Sequence, residues 1–251
     1  MAKKSFLLCT LFFIHCSTNP TNPQKSPKEL ANLYTELGTS ALLRGEYPQA
    51  VEDLRKAITV DSANAIAHNH LGLAYYSLGK SQLAKEEFNR AVLEDSNYSD
   101  AYINLGNFAL DEKKPMLAKH YYNKALDNLE YKFRHRALTS LAQLAFHENK
   151  LDDARLYLYQ SLQANPNYCL THFLMGMLYI RESNSTKAVE SFSKSVSKTC
   201  VQNPEGHYQL GLAYLKLKNF DKARHEFVRL IEEFPQTIHA QKAGEYLKDL
   251  P

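Results

Sequence analysis

Small and large apolar residues recur along this chain at intervals of about 35 residues. The steps between successive members are 34, 34, 36, 34 and 35 residues in a column of small residues, namely Gly38, Gly72, Gly106, Ala142, Gly176 and Gly211. An alanine column keeps the same steps at Ala50, Ala84, Ala118, Ala154, Ala188 and Ala223. Four positions after each alanine stands a large residue, namely Leu54, Phe88, Tyr122, Leu158, Phe192 and Phe227. Columns that keep one register predict six copies of one structural unit.

Each copy is predicted to be a pair of antiparallel helices. Polar or glycine-containing turns, such as 44–48 and 218–219, separate two apolar segments, and prolines near 166 and 235 end repeats because proline stops a helix. The small residues let the two helices approach closely, and the large residue fills the space towards the next hairpin. The predicted repeat boundaries are 31–64, 65–98, 99–134, 135–168, 169–203 and 204–237. Residues 238–250 read as a capping helix, and extra residues near 127–133 lengthen one junction.

These columns resemble the tetratricopeptide-repeat signature over residues 30–237. The aromatic position that opens the signature is held here by Tyr34, His68, Tyr102, Leu138, His172 and His207. The resemblance implies an all-α domain at 29–251, a right-handed superhelix (solenoid) of six hairpins closed by the capping helix. A stack of this kind offers an extended surface to a protein partner.

The first 28 residues follow a different pattern. Two lysines precede an apolar stretch at 5–14, which is too short to span a bilayer but has the length of a secretory signal core. Cys16 and a polar, proline-punctuated segment follow. The arrangement resembles a bacterial lipoprotein with a signal peptide at 1–15, a lipid on Cys16 and a tether at 16–28, although Phe13 and His15 depart from the usual cleavage motif. It implies an outer-membrane, periplasm-facing location. The alternatives are secretion without an anchor and a buried segment of a cytosolic protein.

Candidate chemistry is sparse in this sequence. The formal net charge is +3, and no run of like charges offers a phosphate-binding patch, so we expect no nucleic-acid partner. His68 and His70 are two residues apart and point in different directions on a helix, so they do not form a metal site. Phosphate loops, nucleophile elbows and paired CxxC cysteines do not occur. We therefore expect no enzymatic activity, no metal and no cofactor.

Two cysteines remain after Cys9 and Cys16 are assigned to the signal and the anchor. Cys169 is predicted to open the first helix of the fifth hairpin, and Cys200 to close its second helix, which places them side by side. In an oxidising compartment they are expected to form a disulfide. The alternative is a pair of small, buried, reduced residues.

The whole arrangement resembles the lipoproteins that assist secretin assembly in type IV pili, the pilotin family of PilF and PilW. A lipoprotein signal, a short tether, six repeats and the longer junctions at 125–137 and 200–206 carry the likeness. It implies a monomeric protein under the outer membrane that helps the secretin subunit reach that membrane and multimerise. The alternatives are a periplasmic scaffold for another envelope-assembly or cell-wall machinery, a chaperone co-factor and an enzyme with a repeat appendage. Thr35 and Thr39 replace the groove residues that the chaperone co-factor requires.

The predicted partner-binding groove lies along the first helices of the first three hairpins. Groove positions are those one place after the opening aromatic, one place after the small residue, and three or four places beyond that. In the first three repeats they are Thr35, Thr39, Leu42, Asn69, Leu73, Tyr76, Ile103, Asn107 and Leu110. Four of them, Leu73, Tyr76, Ile103 and Leu110, are predicted to form an apolar strip. Asn69 and Asn107 would hydrogen-bond a partner backbone. Packing between neighbouring hairpins is the alternative for Leu42 and Leu110, and Tyr76 is the strongest candidate for a binding hot spot.

Overall fold

The structure, a computed structural model, describes residues 25–197, 200 and 202–251. The predicted signal peptide, Cys16 and the tether up to residue 24 lie outside these residues. Within them the chain forms thirteen α-helices and no strand. The helices are α1 (Pro27–Leu43), α2 (Tyr47–Val60), α3 (Ala65–Ser77), α4 (Ser81–Glu94), α5 (Ser99–Asp111), α6 (Pro115–Asp127), α7 (Arg134–His147), α8 (Leu151–Ala164), α9 (Cys169–Arg181), α10 (Ser185–Ser195), α11 (Pro204–Lys216), α12 (Phe220–Glu233) and α13 (Ile238–Asp249). Twelve of them pair into the six predicted hairpins, and α13 is the predicted capping helix.

The three sequence columns form the interior of each hairpin. All six alanines of the second column and all six large residues of the third are buried. The small residues of the first column leave room for the large ones, because a Cβ atom added at Gly106 would lie 2.4 Å from the Tyr122 ring. Ala142 is the exception in its column, and it is buried in the same core cluster as Leu158. The hairpins and the burial of the columns are therefore confirmed. The place of the large residues was predicted incorrectly, because each glycine of the first column has the large residue of its own hairpin against it, whereas the sequence suggested that the large residue fills the space towards the next hairpin.

A single turn type joins the two helices of every hairpin. One residue in each turn has a positive φ angle, and these six are Gly45, Gly79, Lys113, Asn149, Ser183 and Lys218. The next residue donates its N–H to a carbonyl five positions earlier, as Lys80 does to Tyr75 at 2.8 Å. This is the left-handed helix end that glycine favours, yet four of the six positions are not glycine.

The helical domain begins two residues earlier than the sequence suggested, at residue 27 and not at 29. Ser26 caps α1 by accepting a hydrogen bond from the Glu29 N–H, while the Glu29 carboxylate accepts one from the Ser26 N–H at 2.7 Å. Pro27 follows at the first helical position, where its missing N–H costs nothing. The helix therefore begins at Pro27, and residues 27 and 28 belong to the repeat domain.

The first helices of the hairpins form one layer of the stack. Contacts link α1 with α3, α3 with α5, α7 with α9 and α11 with α13, whereas the second helices do not approach one another as closely in the described part of the chain. Neighbouring hairpins are also joined by ion pairs from a second helix to the next first helix. Lys85 pairs with Glu112 at 2.9 Å and Arg155 with Glu182 at 2.6 Å. The first helices therefore line the inner side of the superhelix.

Candidate functional site

Polar contacts between successive first helices fix the inner surface of the stack. Thr39 Oγ1 lies 2.7 Å from His70 Nδ1, which links α1 to α3. Asn104 donates to the Asn69 side-chain oxygen at 2.8 Å, which links α3 to α5. Burial lowers the pKa of His70, with a smaller opposing effect of Asp100, so its ring is neutral at neutral pH. The inner surface is therefore held by a row of hydrogen bonds between neighbouring hairpins.

Three of the nine predicted groove residues are buried, although one of them, Thr35, reaches the wall of a surface depression. Ile103 is 2% exposed and packs in the core between the third and fourth hairpins. Asn69 is also 2% exposed, and its amide is used by Asn104 and by the Tyr98 hydroxyl, 3.4 Å away. Thr35 is buried and donates its hydroxyl to the Ala31 carbonyl at 2.9 Å. Asn69 and Ile103 are therefore not open to a partner, because the next hairpin covers them, and Thr35 keeps only a small exposed area.

The other six groove residues keep some exposure. Thr39, Leu42, Leu73 and Leu110 are half-buried, and Asn107 and Tyr76 are exposed. Asn107 also has a structural role, since its side-chain oxygen accepts a hydrogen bond from the buried Tyr122 hydroxyl at 2.8 Å. Its removal would leave that hydroxyl short of a partner, so we do not expect an Asn107 variant to be structurally silent. Tyr76 is the one large aromatic of the set on the surface.

Tyr76 stands beside side chains that the sequence did not single out. Its hydroxyl donates to the Asp111 carboxylate, and its ring contacts the edge of Phe108 with centroids 6.5 Å apart. The hydrogen bond to Asp111, partial burial and the charge of Asp111 together raise the pKa of Tyr76, so the hydroxyl stays protonated. The only sequence signal for this contact is the acidic Asp111 in the last turn of a helix, where the helix dipole disfavours a negative charge.

A surface depression lies at the N-terminal end of the inner surface. It has a volume of about 630 Å³. Ile66 is its one apolar lining residue, and the polar ones are Asn32, Thr35, Glu36, Thr39, Ser40 and Asn64. Thr35 is held from this side by the Asn64 amide at 3.1 Å. This end of the groove therefore offers hydrogen-bonding groups, whereas the end near Tyr76 offers aromatic surface and a carboxylate.

The histidines of the aromatic column pack inside the stack. His68 Nδ1 lies 2.6 Å from Glu87, and the fully buried His207 has its Nδ1 2.9 Å from Glu226. His172 is half-buried, with its Nε2 2.8 Å from the Pro166 carbonyl oxygen. In the described part of the chain, no group of three or more His, Cys, Asp or Glu residues is arranged to hold a metal ion.

Cys169 and Cys200 are joined in the structure by a disulfide whose Cα atoms are 5.5 Å apart. Cys169 opens α9 as expected. Cys200 lies in a short turn beyond the end of α10 at Ser195, so it does not close the second helix as the sequence suggested. The bond therefore fixes the junction between the fifth and sixth hairpins. Between residues 25 and 251, as far as the structure describes them, no helix is long and apolar enough to cross a membrane.

Family models match this chain along most of the repeat array. Models described as TPR repeat or tetratricopeptide repeat match residues 42–79, 65–98, 103–168 and 204–237. No curated protein matches the chain by sequence. The second, fourth and sixth hairpins, and most of the third, thus fall within matched segments.

Solved structures with a similar fold include PilF, PilW and YrrB. PilF of Pseudomonas aeruginosa aligns with a TM-score of 0.75 and 24% identity over 88% of this chain and 100% of PilF. PilW, described as a widely conserved type IV pilus biogenesis factor, aligns at 0.73 and 21% over 85% of this chain and 98% of PilW. YrrB, described as having an unusual peptide-binding site, aligns at 0.52 and 22% over 78% of this chain and 99% of YrrB. At these identities the likeness concerns the fold, and together with the matched repeats it shows that the chain is a tetratricopeptide-repeat protein.

Proposed function

We propose that this protein is an outer-membrane lipoprotein of the pilotin type, which binds the secretin subunit of a type IV pilus and assists its localisation and multimerisation. The observation that carries the proposal is the match of this chain to essentially the whole length of PilF and PilW. The lipoprotein-like N-terminus supports the same role. A tetratricopeptide stack binds protein partners, and the inner surface is where an extended or helical segment would lie.

The part of the inner surface around Tyr76 is the best candidate for the secretin contact. Tyr76 is 45% exposed, and its ring is held in place by Phe108 and Asp111. A rigid aromatic loses little conformational entropy on binding, which is why tyrosine is common at binding hot spots. Half-buried Leu73 and Leu110 extend the apolar surface on α3 and α5, and the exposed Asn107 adds an amide. The partner would cover the ring and leave the hairpin cores unchanged.

Substituting Tyr76 by alanine is expected to weaken secretin binding by about 2 kcal/mol, roughly 30-fold. Tyr159→Ala is the matched control, because Tyr159 on α8 is 47% exposed and also has a hydroxyl near a neighbouring side chain. Affinity for the purified secretin subunit and the amount of secretin multimer in membrane extracts would be measured for both variants. Circular dichroism and the melting temperature would confirm that each variant is folded.

Equal losses in the two tyrosine variants would remove the assignment of the contact to this surface. Normal secretin multimers in a strain that lacks the protein altogether would contradict the pilotin role itself. In that case a pull-down of the native protein from its own envelope would identify the machinery of the alternative, a periplasmic scaffold with another partner.

The anchor gives a further prediction. Cys16→Ser is expected to release the protein from the membrane fraction, because a lipid on this cysteine is the proposed attachment. Cys9→Ser is the control, since Cys9 lies inside the apolar stretch and would leave with the signal peptide. Fractionation after a salt wash would detect the difference. A Cys16 variant that stays membrane-bound would mean that the protein is held by something other than this lipid.

A further inference from the structure

An open cleft lies between the turn of the second hairpin and the end of α5. Its volume is about 630 Å³, and its walls are Tyr76, Ser81, Gln82, Phe108, Asp111 and Glu112. The lining thus combines two aromatic rings, two carboxylates and two uncharged polar side chains. It contains no basic residue.

The two carboxylates of the cleft differ in their surroundings. Glu112 is neutralised by Lys85 and by Lys114, each with its Nζ 2.9 Å from a carboxylate oxygen. These ion pairs hold the pKa of Glu112 below its usual range. Asp111 accepts a hydrogen bond from the Tyr76 hydroxyl and has no lysine, arginine or histidine within ion-pair distance among the described residues. Asp111 is therefore the uncompensated negative charge of the cleft.

The position of Asp111 in its helix adds to this imbalance. It is the last residue of α5, and the C-terminal end of a helix carries a partial negative charge. A carboxylate at this point is disfavoured by the helix dipole, so the negative charge of Asp111 does not stabilise the end of α5. A cation brought by a binding partner would satisfy both the carboxylate and the helix end.

We infer that this cleft is a subsite for an arginine side chain of the partner. The exposed face of Tyr76 offers a surface on which a planar guanidinium stacks, and the Asp111 carboxylate is next to that ring. Lys85 already lies over the Phe108 ring, with 5.5 Å from its Nζ to the ring centroid, so one aromatic wall of the cleft takes a cation within the protein itself. The inference rests on the proposed function in one respect: it takes the arginine to belong to a protein partner.

Blocked tripeptides would test the subsite without any secretin. Saturation-transfer difference NMR on the full chain would compare Gly-Arg-Gly with Gly-citrulline-Gly, in which a neutral group of the same shape replaces the guanidinium. We expect the arginine peptide to bind about fivefold more tightly, with the strongest saturation on its side-chain protons. This preference should diminish as salt is added, because the cleft is open to solvent.

Two variants test whether the arginine peptide binds at the cleft. Asp111→Asn is expected to reduce the preference for arginine over citrulline to nearly one, and Tyr76→Ala to weaken both peptides. The controls are Asp152→Asn and Tyr159→Ala on α8, where both side chains are exposed; these variants should bind as the native chain does. Equal binding of the two peptides, or an arginine preference that survives Asp111→Asn, would overturn the inference. Secretin binding is not measured in this experiment, so a failure here and a failure of the pilotin role are distinguishable.

Discussion

Replacing Gly211 by alanine is expected to lower the free energy of unfolding by about 2 kcal/mol, the usual cost of overpacking a tight core. An added Cβ would lie 2.3 Å from Cε1 of Phe227, whose side chain is fully buried between the last hairpin and α13. The ring cannot turn aside, because Tyr208 and Tyr246 pack against it. Urea unfolding followed by circular dichroism would measure the loss.

Gly244→Ala is the matched control for this substitution. Gly244 is also inside a helix, but an added Cβ would lie 3.8 Å from Ile231 Cδ1, an ordinary contact distance. Alanine is favoured over glycine in a helix interior by about 1 kcal/mol, so this variant should be more stable than the native protein. The two substitutions are therefore predicted to have opposite signs. A Gly211→Ala variant that is as stable as Gly244→Ala would show that the glycine column is not required for close packing.

Reduction of the Cys169–Cys200 disulfide is expected to cost about 3 kcal/mol, because the bond closes a loop with a sequence separation of 31 residues. The effect should be concentrated at the junction of the fifth and sixth hairpins, which the bond fixes. Melting curves with and without a thiol reductant would measure it. The double variant Cys169→Ser, Cys200→Ser should melt like the reduced native protein and should not respond to the reductant.

The compartment of the protein decides whether this bond forms in the cell. Export to the periplasm would supply the oxidising environment that a disulfide needs. Mass mapping of protein purified from the periplasm under non-reducing conditions would find the linked peptides. Two free thiols in that sample would contradict the disulfide, and a reductant-insensitive melting temperature would contradict its contribution to stability.

The repeat pattern by itself determined the hairpins of this protein. Columns of small and large apolar residues at a fixed spacing predicted the paired helices and the buried positions, because each hairpin buries its apolar surface by stacking. That a large residue lies against the small residue of its own hairpin was shown only by the structure. The start of α1 could also have been predicted from the sequence. Ser26, Pro27 and Glu29 form a complete helix-start signal, which the assignment of residues 16–28 to a tether overlooked. The positive-φ turn could not be predicted from the sequence, because the return of the chain into the second helix determines it. Only two of the six residues that adopt it, one in each hairpin, are glycines.

Only the tertiary structure decided which residues of the inner layer are open to a partner. A residue on a first helix faces either the groove or the next hairpin. The angle between neighbouring hairpins determines which of these two environments it has. Asn69 and Tyr76 lie on the same helix, yet the first is buried against Asn104 and the second is exposed beside Asp111, 35 residues away in sequence. Leu37 precedes Gly38 as Leu71 precedes Gly72 in the next repeat. Leu37 is 46% exposed although Leu71 is buried, because no hairpin precedes it in the described residues. A sequence pattern fixes the register of each helix, but exposure depends on which neighbour covers it.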